Sequence, residues 1–162
     1  MATAGTNLSD YNPEQLPSAA NFKLGLVVAE WNAEITEALA EGALEVFQNC
    51  GAKAENITRL NVPGTFELTY GAKLLCQKEV YDAIVVIGTV VQGETRHFDF
   101  VCDSVTQGVT QLNLDYSTPV IFCVLTDNTI EQSRARAGGA HGNKGIECAV
   151  AALKMAQLKR EN

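Results

Sequence analysis

The chain has no apolar run near the roughly 18 residues that a membrane-crossing helix requires. Its longest stretches, such as YDAIVVIG at 81–88, are far shorter, and its first residues lack the basic-then-apolar pattern of an export signal. A cytoplasmic protein without a membrane partner is expected. Positive charge is also scarce: 12 Lys and Arg against 19 Asp and Glu leave a formal charge of −7, which argues against general nucleic-acid binding. There are only two histidines, His97 and His141, and the H-x-D at 97–99 lacks recognised ligand spacing, so no metal is expected. Five cysteines without a C-x-x-C pair, an odd total, point to reduced structural thiols rather than a disulfide framework. Internal repeats and low-complexity segments are absent.

What is present suits a folded domain. The 162 residues are 46% hydrophobic and 19% charged, enough for one domain with its own core. Residues 1–20 show no periodicity and carry Pro13 and Pro17 among Ser9, Asp10 and Asn12, which predicts an extended or partly mobile arm ahead of a single domain at 21–162. NFKLGLVVAEWN then predicts a strand ending at Asn32, which could cap a helix with Ile35, Leu39, Ala43, Val46, Phe47 and Cys50 on its apolar face. Gly51 stands where that helix would stop, and a second extended segment runs to Pro63. A helix to about Lys78, the strand YDAIVVIG, a helix at 97–113, the strand TPVIFCVLT, a short helix near 129–136 and a closing helix at about 144–159 complete the alternation. Buried strands separated by amphipathic helices imply an α/β fold: a four-stranded, mainly parallel sheet covered on both faces.

Parallel sheets of this kind place ligands outside the C-terminal ends of their strands. The segments there are Glu30 to Asn32, Pro63 to Glu67, Gly88 to His97 and Leu125 to Asn128. GTVVQGET at 88–95 has the glycine spacing of a phosphate-binding loop, but Glu94 stands where the lysine would reach a nucleotide's phosphates, which excludes nucleoside triphosphate hydrolysis. A single phosphate held by backbone amides, or merely a tight strand-to-helix turn, remains open. His97, at the start of a helix, has the residue type of a proton carrier at neutral pH. Glu67 could accept hydrogen bonds from ligand hydroxyls or simply complement a helix dipole. Trp31 could stack on a flat ring or fill the edge of the core, and Phe122 lies within a strand where core is the commoner role. SRARAGGAHGNKGIE gathers Arg134, Arg136, His141 and Lys144, either to draw an anion or as a solvated helix end, with Asn143 placed to cap the last helix.

VPGTFELTYGAKLL, YDAIVVIGTVVQGETRHFDFVCDSVTQG, PVIFCVLTDNTIEQSRARAG and GNKGIECAVAALKMAQL together resemble the 6,7-dimethyl-8-ribityllumazine synthase family across about residues 22–159. The resemblance implies a flavodoxin-like three-layer αβα sandwich. It implies condensation of 5-amino-6-(D-ribitylamino)uracil with 3,4-dihydroxy-2-butanone 4-phosphate, without metal or cofactor. Trp31, Thr65, Phe66, Glu67, Thr89, Val90, Val91 and Phe122 match positions that meet the pyrimidine and ribityl chain. Glu94, Thr95, Arg136 and Lys144 match the phosphate side, and His97 the proton donor. The family's site lies between neighbouring chains of a homopentamer, with Phe122 and Arg136 supplied by the adjacent chain, and some relatives build an icosahedral shell of twelve pentamers. Gln92 stands where relatives commonly carry arginine, Arg96 where threonine or proline is frequent, and GGAH where GTKA is usual, which redistributes positive charge about the phosphate. Two other roles compatible with the fold are an archaeal-type riboflavin synthase and a non-catalytic flavin-binding or shell protein.

Overall fold

The computed structural model describes residues 9–78 and 80–162, so the first eight residues of the expected arm lie outside the description that follows. Four strands, β1 (Leu24–Ala29), β2 (Ile57–Val62), β3 (Ala83–Val91) and β4 (Val120–Asp127), form one sheet in the order β2-β1-β3-β4, parallel throughout. Each crossover carries a helix: α1 (Ala33–Asn49), α2 (Leu68–Cys76) and α3 (His97–Asp115). After β4 come a short α4 (Ile130–Arg136), a hairpin of β5 (Ala137–Gly139) and β6 (Gly142–Asn143), and the closing α5 (Lys144–Glu161).

Side chains of the strands alternate between two cores. Leu24, Leu26, Val28, Val85 and Ile87 pack with Leu39, Phe47 and Leu153 of α1 and α5. Val27, Ala29, Ile84 and Val86 pack with Leu68, Leu75, Val105 and Leu112 of α2 and α3. Both faces of the sheet are therefore apolar, which is why the strands are near-continuous hydrophobic runs. This is the three-layer α/β sandwich, with a four-stranded parallel sheet, that the sequence predicts.

Local chemistry sets the helix ends. Gly51 takes φ +89° just after α1, the left-handed conformation that glycine adopts without a Cβ penalty. Thr129 and Gln132 form a reciprocal capping box on α4. Asn143 caps α5 as expected, its Oδ1 accepting from the Gly145 N–H at 2.8 Å while its amide donates to the Ala38 carbonyl at 2.8 Å. Asn32 is at the start of α1, but its side chain makes no capping bond; its backbone is left-handed instead, at φ 58° and ψ 47°. The described part of the arm is docked. Tyr11 and Leu16 pack against the α1/α5 core, and the Ser9 hydroxyl accepts from the Asn143 N–H at 2.5 Å.

One strand is longer than its sequence suggests. The loop expected to begin at Gly88 begins after Val91, because β3 stays paired with β4 from Gly88↔Val124 to Val91↔Asp127. Gly88 is thus a strand residue, not part of a phosphate loop. A side chain there would meet Thr65 Oγ1 at 2.7 Å and Leu68 Cδ1 at 2.8 Å, so its glycine serves close packing against the first turn of α2.

The tightest helix contact is between α1 and α5. A Cβ on Gly145 would collide with the backbone carbonyl of Leu39, an atom that cannot swing aside. Gly145→Ala is therefore expected to lower unfolding stability by at least about 2 kcal/mol in urea titration. Gly93→Ala, where nothing lies within 4 Å, serves as the near-neutral control.

Candidate active site

A cleft of about 460 Å³ opens at the C-terminal ends of β1, β2 and β3. Its walls follow from strand pairing. β1 is bonded to β3 only as far as Val28↔Ile87, and then turns toward β2, where Glu30 and Trp31 donate to the carbonyls of Val62 and Pro63 at 2.8 and 3.1 Å. β3 continues with a neighbour on one side only. The Thr65 hydroxyl donates to the Thr89 carbonyl at 3.1 Å, satisfying one acceptor on the abandoned edge. Thr89, Val90 and Val91 line the cleft from that strand.

The opposite wall is aromatic. Trp31 is 69% exposed and Phe66 57% exposed, so the core role that Trp31 could have had is ruled out. Gly64 explains where the indole lies: a Cβ on it would sit 2.8 Å from Trp31 Cε3 and 3.1 Å from Glu67 Oε2. The missing side chain lets the ring rest on the Pro63–Gly64 turn beside the glutamate. Thr65, Phe66 and Glu67 form a single 3-10 turn leading into α2, which aims all three at the same opening. His97, exposed at the first position of α3, completes the rim.

Two lining residues were not among the expected site residues. Asn32 and Val101 both face this cleft. The sequence signal for Asn32 was its residue type at a strand end, since asparagine tolerates the left-handed backbone better than most side chains. Val101 follows His97 by one helical turn and so shares its face.

A second cleft, of about 410 Å³, lies at the end of β4 and is lined by Asp127, Glu131, Gln132, Ala135, Arg136 and His141. The four basic groups of the 133–147 segment divide here. Arg134 forks onto Glu34 at 2.8 and 2.9 Å, a pairing that holds the Glu34 carboxyl below its ordinary range. Lys144 pairs with Glu147 at 2.6 Å and lines neither cleft. Arg136 and His141 remain in the second cleft, with Asp127 4.0 Å from the Arg136 Nε.

Within one chain, His97 and Arg136 line different clefts. Phe122 is half-buried on β4, packed against the α2/α3 core, and lines neither. Glu94 and Thr95 sit on the exposed connection from β3 to α3, outside both linings, with Thr95 Oγ1 accepting from the His97 N–H at 3.4 Å. Arg96 is exposed, paired with Asp99 at 3.3 Å and 5.9 Å from the Phe100 ring centre. Cysteine chemistry plays no part in either lining. Burial pushes the Cys76 thiol up to about 11 and raises those of Cys50 and Cys102, which disfavours the nucleophilic thiolate. No group of three or more His, Cys, Asp and Glu is placed to hold a metal ion among the described residues.

Comparison with known proteins gives this geometry a context. A family model described as 6,7-dimethyl-8-ribityllumazine synthase matches residues 21–160. A protein of that name from Christiangramia forsetii is 60% identical over 162 residues, covering 99% of this chain and 96% of its own. Those from Flavobacterium johnsoniae (55% over 161 residues, 99% and 85%) and Porphyromonas gingivalis (54% over 160 residues, 99% of both chains) are similarly close.

Trp31 is the chain's single tryptophan and lies open on the cleft wall. A flat heterocycle entering the cleft is expected to stack on the indole and quench its fluorescence. Quenching measured by titration should vanish in Trp31→Phe; an unchanged emission on saturating ligand would place the ring elsewhere.

Proposed function

Since the chain belongs to the 6,7-dimethyl-8-ribityllumazine synthase family, we infer that the Trp31 cleft is where it binds 5-amino-6-(D-ribitylamino)uracil. The enzyme condenses that uracil with 3,4-dihydroxy-2-butanone 4-phosphate to give 6,7-dimethyl-8-ribityllumazine, phosphate and water, the penultimate step of riboflavin biosynthesis. One observation carries the assignment of the site. Trp31, Thr65, Phe66, Glu67, Thr89, Val90, Val91 and His97, drawn from three separate strand ends, line one cleft.

Each group then has a task set by its chemistry. The pyrimidine lies between the aromatic wall and the half-paired edge of β3, where unpartnered backbone groups can meet its ring polar atoms. Glu67 accepts from ribityl hydroxyls. The uracil's 5-amino group attacks the butanone carbonyl, water leaves and an imine forms. Phosphate is then eliminated, the enol left behind becomes a ketone, and the ribitylamino nitrogen attacks that carbonyl and closes the second ring with loss of a second water. His97 moves protons among these intermediates, and Arg136 neutralises the departing phosphate. Glu94 and Thr95 contribute the loop's edge to the phosphate side, and Lys144 supports it from the start of α5. The reaction needs no cofactor in this scheme, because the amine is itself the nucleophile and phosphate the leaving group.

The two clefts require two chains. We place the Arg136 cleft, with Phe122, of one protomer against the His97 cleft of its neighbour in a homopentamer, so that one composite site holds both reactants. Exposed Trp31 and Phe66 on the rim are consistent with a surface that another chain covers. The short hairpin from β5 to β6 brings no insertion between Arg136 and α5 that would obstruct twelve such pentamers closing into a shell. The protein acts in the cytoplasm, a setting that suits five unpaired thiols.

Phosphate release that requires both precursors, with lumazine absorption rising in step, tests the reaction; riboflavin formed from lumazine alone would indicate riboflavin synthase chemistry instead. His97→Ala is expected to slow turnover by about 10²- to 10⁴-fold at most without abolishing it, since holding two reactants together supplies more than proton transfer does. Complete loss in a folded variant would contradict that order of contributions. Sedimentation is expected to show a pentamer or a multiple of it, and a monomer active on its own would overturn the shared site.

A further inference from the structure

The two clefts of one chain are joined by a line of buried polar contacts. Thr89 Oγ1 lies 3.3 Å from Ser133 Oγ, and Ser133 Oγ donates to Asp127 Oδ2 at 2.8 Å. The other carboxylate oxygen, Oδ1, faces the Arg136 Nε at 4.0 Å. Ser133 is 0% exposed and Thr89 4% exposed, so neither hydroxyl can look to solvent for a partner.

The direction of the line follows from what each group can do. A carboxylate accepts only, so the Ser133 hydrogen goes to Asp127, and its lone pairs are left to accept from Thr89. A hydroxyl on this face of α4 is not needed for packing, where alanine would fill most of the same space. Its value lies in holding Asp127. The nearby Glu131 is already drawn to Arg134, at 3.8 Å, which leaves Asp127 as the carboxylate that faces the Arg136 guanidinium.

We propose that Ser133 is a positioning residue for Arg136. It anchors one oxygen of Asp127 so that the other faces the Nε edge of the guanidinium at ion-pair distance, leaving the two terminal nitrogens to fork onto a phosphate monoester. Through Thr89 the same anchor is tied to the strand edge that lines the His97 cleft. The proposal rests on the reading that Arg136 receives the phosphate, and it adds a residue that touches neither reactant.

The test uses the full chain carrying Ser133→Ala, Asp127→Ala or both, each checked for unchanged circular dichroism and sedimentation. Ser133→Ala is expected to raise the KM for the butanone phosphate and the dissociation constant of inorganic phosphate by about three- to tenfold, with kcat changed less than about twofold. Ser133→Cys, with a weaker donor of similar size, is expected to fall between. In the Asp127→Ala background the Ser133→Ala effect should disappear, because a residue acting only through Asp127 has nothing left to position. Constants within about 1.5-fold of the parent, or an undiminished effect without Asp127, overturn the proposal. Calorimetric titration with inorganic phosphate needs no turnover, so a parent chain that binds phosphate but forms no lumazine would refute the assigned reaction while leaving the Ser133 measurement valid.

Discussion

Beyond Ile87 the central strand loses one of its two neighbours, and much of the functional architecture follows from that. A parallel sheet buries its backbone polar groups by pairing them, so an edge left open near the middle of a sheet must be satisfied by something else. β1 leaves by bending toward β2, and the gap it opens is the cleft. Thr65 reaches across to one carbonyl of the open edge, and Gly88 lets the turn that carries Thr65 come close enough to do so. The same turn delivers Phe66 and Glu67 to the rim. Strand pairing, a close glycine contact and the placement of the residues that line the cleft are therefore one event seen at three scales.

On the other side β4 remains paired to the end of β3, and its last residue, Asp127, opens the second cleft. Charge there is managed by prior pairing. Arg134 and Lys144 are committed to Glu34 and Glu147, so Arg136 is held by the weaker, longer contact to Asp127. A guanidinium that is oriented but not consumed is what an anion site requires. The chain thus presents an aromatic, half-polar cleft at one place and, at another, a charged one that sets Arg136 and His141 beside Asp127 and Glu131. In the proposed assembly of neighbouring chains the two meet without any movement inside the subunit.

The scaffold that holds these edges still is dense at its far end as well. Asp82 accepts from the Lys23 N–H at 2.7 Å and from Arg160 at 2.6 and 2.8 Å, and the Arg160 guanidinium lies 4.7 Å from the Phe22 ring centre. That knot joins the end of α5 to the beginnings of β1 and β3. At the near end Gly145 and Asn143 seat α5 on α1. Held at both ends, α5 keeps the hairpin and Arg136 in a fixed relation to the sheet.

Alternating strands and helices, the covered parallel sheet, the helix stop at Gly51, the helix start at Asn143 and the grouping of unusual residues at strand ends were all legible in the order of amino acids. Each depends on local periodicity or on backbone preferences of single residues, which a neighbouring stretch of chain already expresses. Motif resemblance carried the family and hence the reaction. The extension of β3 through Val91 and the exposure of Trp31 were not legible. These were decided by which strand lies beside which and where that pairing ends, a property of contacts between distant segments. Ser133 shows the limit most plainly: it meets Thr89 across 44 residues of chain, and nothing near it in sequence announces that a buried hydroxyl there has a carboxylate to hold.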